Sequence, residues 1–316
     1  MRVLLLGGDG YVGRYLQRAS TTIMESVSAD LHPSSPAVLF CDVRRDLSET
    51  LGDIEPPDWI VLLAAVHREP GHELHEYYDT NVRGAQNVAR YAKQVGCRNI
   101  FFMSSTSPYG STSDPKDERS ALYPDSPYGM SKLAAELVLE AWLRHGDDRR
   151  LVICRPGVIY GPGEQGNITR MIRAVRRGYF VYPGDRTVRK SYAYIEGLVE
   201  SIDFALLRSE PYLLYNYTER RTETLEELVH AVQDEFDCHR RTPSVPRQVL
   251  VGAAHALQAA TYGRSQLHPT RVRKASIPTH VVPRWLLEHG FEFRYDFRTS
   301  LRHWRATAPE DFALRA

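Results

Sequence analysis

Five runs of strand length are apolar nearly end to end instead of at every second residue: RVLLLG (residues 2–7), AVLFCDV (37–43), WIVLLAAV (59–66), NIFFMSS (99–105) and RLVICRP (150–156). A strand reads this way when both of its faces are covered, the condition of a parallel sheet with helices on either side. Helical patterns fall between the runs, around residues 13–22, 77–95 and 131–145. The alternation predicts an α/β fold built on a doubly wound parallel sheet. Its second strand should lie between Thr22 and Asp30, where IMESVSAD is poorly apolar and HPSSP follows as a loop.

After Pro156 the alternation breaks. GPGEQGN reads as a loop, ITRMIRAVRRG as a basic helix, and SYAYIEGLVESIDFALL and YLLYNYT are apolar enough to rejoin the first unit. The expected division is a nucleotide-binding domain over 1–162 with about 191–215, and a smaller, discontinuous α/β substrate domain over 163–190 and 216–316. QVLVGAAHALQAATYG (248–263) is an apolar helical pattern too short to span a bilayer, and is expected in the core of the smaller domain. At 316 residues and 42% hydrophobic content the chain has material for a substantial core. Forty basic residues against thirty-nine acidic ones give a formal charge of +1, which calls for neither nucleic acid nor an anionic surface as partner. The four cysteines are widely spaced without a C-x-x-C pair, as expected of buried thiols in a reducing compartment. With no leader pattern and no apolar run of membrane length, the protein is expected to be cytoplasmic.

LLLGGDGYVGRYL sets Gly7, Gly10 and Gly13 directly after the first strand and at the opening of a helix. Such a turn lets a backbone approach a pyrophosphate and offers it free N–H groups at a helix N-terminus. Asp30, at the end of the second strand, is expected to hold an adenosine ribose. Asp42 is a second acid at a strand end that would face the adenine. Arg14, His32, Arg44 and Arg45 are placed to meet a 2′-phosphate, so NAD and NADP both remain open.

SPYGMSKLAAE reads as a helix start, with Ser126 as N-cap and Pro127 at the first helical position. Tyr128 and Lys132 then share a face roughly 6 Å apart along the axis. An ammonium at that distance would draw a phenol pKa down from about 10 and let the tyrosine exchange a proton with an alcohol or carbonyl. FFMSSTSPYG ends a buried strand in hydroxyls, at the sheet edge where ligands of such folds bind.

Glycine turn, hydroxyl-rich strand end and Y-x-x-x-K, in this order, resemble the extended short-chain dehydrogenase/reductase family of sugar-nucleotide enzymes. NVRGAQNV is similar to its N-x-x-G-x-x-N helix, RPGVIYGPG to its R-x-x-x-x-Y-G-P-G loop, and RTVRKSYAYIEGLVESI to its Arg-bearing strand and helix. The resemblance implies a Rossmann-type fold and a catalytic set of Ser105, Tyr128 and Lys132. It implies cofactor contacts from Gly7, Gly10, Tyr11, Val12, Gly13, Asp30, Asp42, Val43, Leu63, Ala64, Ala65, Asn81, Tyr128, Lys132 and Arg155. On the substrate side it implies Val66, Ser105, Thr106, Ser107, Tyr128, Asn167 and Arg189, the last on a diphosphate. No metal is implied. A homodimer through a four-helix interface is expected, with a nucleotide sugar as substrate and NAD or NADP as cofactor.

Departures narrow the reaction. Thr106 and Ser107 stand where 4,6-dehydratases carry Asp and Glu, so dehydration is not expected. Val158 stands where epimerases carry a sugar-holding Asn, and Arg189-Lys190 replaces an Arg-Asp pair. These changes lean towards NAD(P)H-dependent reduction of a 4-keto sugar, with 4-epimerisation as the alternative. Oxidation of a sterol or lipid-linked sugar, and a non-catalytic dinucleotide-binding role, are further alternatives.

Overall fold

The structure, a computed structural model, describes residues 1–52, 54–164, 166–261 and 268–313. Seven strands form one sheet: β1 (Arg2–Leu6), β2 (Glu25–Asp30), β3 (Leu39–Phe40), β4 (Trp59–Leu62), β5 (Asn99–Met103), β6 (Arg150–Pro156) and β7 (Tyr212–Tyr217). Their order is β7-β6-β5-β4-β1-β2-β3 and every pairing is parallel. Strand order reverses between β1 and β4, which opens a crevice at the carboxyl ends of both.

The unalternating runs are explained by two cores. Val3 and Leu5 enter one hydrophobic cluster and Leu4 and Leu6 the other, following the period of two along a strand. Helix α1 (Tyr11–Ala19) covers the first face together with a late helix, Ile195–Leu206. Helices α2 (Arg83–Gln94) and α3 (Pro127–Arg144) cover the second. The polar second strand is real but fully buries only Ser28 and Ala29. Only the two-residue β3 lies outside it, so little covers its faces and few apolar residues are needed. The run 37–43 likewise yields only that short edge strand, with Phe40 exposed.

The later residues build helices and short two-stranded pairs. Ile168, Leu228, Val232 and Trp304 join the same cluster as Val3 and Leu5, so this half shares its core with one face of the sheet. The apolar pattern expected in that core behaves differently. It forms the helix Arg247–Ala260, in which only Ala254 is buried, and packs chiefly on the helix Pro269–Ala275. Hydropathy identified a helix but not what would cover it; Tyr262 and Gly263, its expected end, lie outside the described residues.

Candidate active site

The glycine turn is shaped by close backbone approach. Gly7 has φ +89°, and a Cβ there would sit 2.6 Å from the Ala64 nitrogen. A Cβ on Gly13 would sit 2.5 Å from the Gly8 carbonyl oxygen. The Gly7 and Gly8 N–H groups donate to Ala29 O, and those of Leu63 and Ala64 to Leu6 O, which binds the ends of β1, β2 and β4 together. Gly10 is the N-cap of α1, no side chain caps that end, and its first turn holds no acid. The N–H groups around Tyr11, Val12 and Gly13 therefore present an uncapped helix N-terminus, which suits a dinucleotide pyrophosphate.

Asp30 closes β2 beside this turn and accepts from the Asp9 and His32 N–H groups, each at 3.1 Å. Asp9, which the sequence reading passed over, lies against Ser34 and 3.7 Å from Arg14 Nε. The Asp9 backbone thus meets the Asp30 carboxylate, while the Asp9 carboxylate turns to Ser34 and Arg14. Asp42 is buried, and its carboxylate accepts from Arg44 Nε and Nη2, both at 2.8 Å. That hydrogen-bonded ion pair holds its carboxyl below the usual range. The Val43 carbonyl accepts from Asn87 Nδ2, and its side chain is buried.

At the chemical end, Ser126 caps α3 by accepting from the Gly129 N–H at 3.2 Å. Tyr128 lies in the first turn, and its phenol is hydrogen-bonded with the Ser105 hydroxyl. Ser105 Oγ also accepts from the Ser107 N–H and lies 3.1 Å from Ser107 Oγ. The Thr106 N–H donates to Pro156 O, which fixes the strand end to β6. Lys132, 2% exposed, donates to the Met103 carbonyl at 2.6 Å and lies over the Phe102 ring. Burial pushes its ammonium down to about 7, against the pull of Glu136. The Tyr128 phenol is pushed up to about 12 by burial, with the Ser105 hydrogen bond pulling the other way. The expected lowering of the phenol by Lys132 is absent, because the ammonium is turned to Met103 and its own charge is weakened by burial. With the site in this state Tyr128 is an acid at neutral pH.

Asn81 uses its whole amide for support. Its Oδ1 accepts from the Val66 N–H, and its Nδ2 donates to Val66 O and to Ser131 Oγ at 2.8 Å. It thereby ties the loop after β4 to the helix carrying Tyr128 and Lys132, as a positioning residue. Arg155, expected against the cofactor, is instead 4% exposed and forks onto Glu136, itself 1% exposed. Its Nε and Nη2 lie 2.9 and 2.5 Å from the two carboxylate oxygens, and its Nη1 donates to the Tyr109 hydroxyl. Tyr109 donates in turn to Asn216 Oδ1, and Ser104 Oγ donates to Glu136. Three guanidinium hydrogen bonds help pin α3 to the ends of β5, β6 and β7. Glu136 was legible in principle, since Tyr128, Lys132 and Glu136 recur every four residues along one helix face.

The substrate side differs from expectation. Arg189 donates to the Thr222 carbonyl and lies 4.0 Å from Glu227. Its neighbour Lys190 is half-buried and makes no hydrogen bond or ion pair among the described residues. Burial and the nearby Lys274 push that ammonium down to about 8. Asn167 is exposed at the start of the helix Asn167–Arg177 and accepts from Arg170 Nη2 at 2.7 Å. Neither Asn167 nor Arg189 hydrogen-bonds Ser105 or Tyr128.

Residues 3–216 match the NAD dependent epimerase/dehydratase family. An N-acetyl-alpha-D-glucosaminyl-diphospho-ditrans,octacis-undecaprenol 4-epimerase of Escherichia coli O157:H7 is 32% identical over 308 residues, 95% of this chain and 92% of that protein. A GDP-6-deoxy-D-mannose reductase of Pseudomonas aeruginosa is 27% identical over 74% of this chain and 79% of that one. Among solved structures, a UDP-N-acetylglucosamine 4-epimerase from Bacillus cereus shares the fold with a TM-score of 0.76 at 19% identity, over 97% of this chain and 96% of that one. MoeE5 in complex with UDP-glucuronic acid and NAD does so with a TM-score of 0.73 at 22% identity, over 99% of both chains.

Proposed function

Starting from a chain that belongs to the NAD-dependent epimerase/dehydratase family, an enzyme of the extended short-chain dehydrogenase/reductase type, we propose 4-epimerisation of an N-acetylhexosamine carried on a polyprenyl diphosphate. The observation that carries this reading is the 32% identity, spread over nearly the full length of both chains, to a 4-epimerase of such a lipid-linked sugar. The site's departures support it. An asparagine that helps hold a nucleotide sugar has no task when the carrier holds no nucleoside, and Val158 stands in its place. A diphosphate remains to be held, and Lys190 offers a half-buried cation with no partner among the described residues.

NAD, when bound, would take a hydride from the sugar's C4 and return it. The remaining work belongs to the chain. The glycine turn and the start of α1 hold the pyrophosphate, and Asp30 accepts from the adenosine ribose. Asp9 adds a second negative charge there, while Arg14 faces Asp9, and Arg44 and Arg45 face Asp42. That arrangement disfavours a 2′-phosphate and favours NAD over NADP. With NAD bound, the added positive charge would favour the phenolate, and in that form Tyr128 removes the proton of the 4-hydroxyl and restores it after the keto sugar has turned, while Ser105 holds the same oxygen. Hydride and proton both return to the product, so no net oxidation occurs. Lys132 stands one helical turn from the phenol, its ammonium pushed down to about 7 by burial.

Reduction of a 4-keto sugar by the same residues is the second reading, favoured by the similarity to the GDP-sugar reductase. The test is incubation with polyprenyl-diphosphate N-acetylglucosamine, UDP-N-acetylglucosamine and 4-keto nucleotide sugars. Interconversion of saturated sugars without net use of NADH, and with preference for the lipid-linked substrate, is the expected result. Stoichiometric consumption of NADPH with a 4-keto sugar would replace epimerase by reductase. Leu74, Met130 and Leu137 are exposed on the helices Leu74–Tyr77 and α3. Such a face supports a homodimer, which sedimentation of the purified protein would test.

A further inference from the structure

We propose that the helix Arg247–Ala260, backed by the helix Pro269–Ala275, is a docking element that lies on an anionic membrane surface. Its biological purpose rests on the lipid-linked substrate above, but the observations behind it do not.

Fourteen residues form this helix and only Ala254 is buried. Val249 is 58% and Leu257 41% exposed, and Leu250 and Val251 are only half-buried. A helix with so few apolar contacts in its own protein and so many apolar residues calls for an apolar surface outside it. At about 1.5 Å per residue it reaches roughly 21 Å, short of a hydrocarbon core of about 30 Å. None of the described helices is long and apolar enough to cross a membrane. Lying in the interface is the geometry left to it.

Charge selects the kind of surface. Between Asp237 and Glu288 there are eight Lys and Arg residues and not one Asp or Glu, in a chain whose overall balance is only +1. Arg240, Arg241 and Arg247 at the start of the helix, and Arg271, Arg273 and Lys274 on its neighbour, are exposed. Basic residues flanking an exposed apolar helix match phosphatidylglycerol-type headgroups. A second copy of this chain is the poorer occupant, since a two-fold interface would bring the same cationic surface against itself. The element also sits beside the candidate site: Lys274 pairs with Glu69 in the loop after β4 and acts on Lys190. Docking there would bring Lys190 close to the headgroup plane, where a lipid diphosphate lies.

The test is flotation of the full-length protein with vesicles of phosphatidylethanolamine and phosphatidylglycerol, or of phosphatidylcholine alone, with no substrate present. The protein is expected to float with the anionic vesicles, to be released by salt, and to remain behind with phosphatidylcholine. The double variants Val249→Glu with Leu257→Glu, and Arg247→Glu with Arg273→Glu, should each weaken vesicle binding by about tenfold or more. Both change exposed residues, so melting curves should match the wild type. Activity on a short-chain, water-soluble prenyl diphosphate sugar should also be unchanged, while turnover of vesicle-embedded substrate falls. Wild-type protein that stays in solution with every vesicle overturns the proposal. So does undiminished binding of the Val249/Leu257 variant, or a variant that only converts dimer to monomer. Flotation without epimerisation of any lipid-linked sugar would leave the docking element standing and remove the substrate reading. Epimerisation in detergent by a protein that never floats would do the reverse.

Discussion

The cofactor half and the substrate half of this molecule treat buried charge in opposite ways. Beneath the glycine turn and along α3, the buried Glu136, Asp42 and Asn81 each have partners: Glu136 is held by Arg155 and Ser104, Asp42 by Arg44, and Asn81 by Val66 and Ser131. In the later half, Lys190 has no hydrogen-bond or ion-pair partner among the described residues, and Glu219 and Glu223 are pushed up to about 8 and about 7, chiefly by burial. A saturated network fixes one geometry whatever the substrate, which is what a shared redox step requires. Partly satisfied groups lower stability but leave charge available to a ligand, which is where substrate choice can reside.

The largest effect should come from the one group that must change state in the saturated half. Tyr128→Phe keeps the ring and removes the proton, and kcat is expected to fall by at least about 10²-fold while bound NAD is retained. A loss smaller than tenfold in a steady-state assay would take the acid/base role away from Tyr128. Next comes the network beneath it. Glu136→Ala leaves the Arg155 guanidinium buried and uncompensated, with an expected cost of about 3–5 kcal/mol in denaturant melts. Replacing both partners by apolar residues of similar size should cost far less. If the single variant is as stable as the wild type, the pairing seen here is not what holds α3 in place.

The opposite sign is expected from Glu219, 4% exposed, which accepts from the Tyr160 hydroxyl. Its carboxyl is raised from 4.5 to about 8, first by burial and then by Glu223 and Asp296. The unfolded chain releases this proton near pH 4.5, whereas the folded chain keeps it until about pH 8. Stability from this group is therefore complete below about pH 4.5 and declines as pH rises to about 8. Glu219→Gln should flatten that decline and raise stability at pH 7 by roughly 1–3 kcal/mol. Thermal melts of both proteins at pH 5 and pH 8 would show it; parallel curves would mean that the carboxylate is ionised and paired after all.

What could be read from the sequence follows the same division. Gly7, Gly10, Gly13, Tyr128 and Lys132 act through local backbone geometry and helical spacing, which a linear sequence displays directly. The partners of Arg155 and Arg189, Glu136 and Thr222, could not be read from spacing because they are distant in the chain. Asp42 has a nearer partner that spacing did not suggest: Arg44, two residues on, folds back onto it. Strand β2 was faint because only a two-residue strand lies outside it, so periodicity had little to record. The helix Arg247–Ala260 was visible as a helix, but its apolar residues pointed to a core, and the structure leaves most of them uncovered. The acid-free stretch around it was the available signal, and the near-neutral total concealed it.

Lys190 offers the smallest predicted effect and the finest distinction between the halves. Arg189 donates to the Thr222 carbonyl and lies 4.0 Å from Glu227, so its charge is engaged within the protein. Lys190 is not committed, and a diphosphate arriving beside it would relieve its burial. Lys190→Ala should raise KM about tenfold and leave kcat nearly unchanged, whereas Arg189→Ala should act mainly on stability. The ammonium is present below about pH 8 and lost above it, so KM of the wild type should climb as pH rises through 8. A guanidinium does not titrate in that range, so Lys190→Arg should keep the low KM and abolish its rise. If KM rises with pH equally in both proteins, the titrating group is another one, and the diphosphate is held elsewhere.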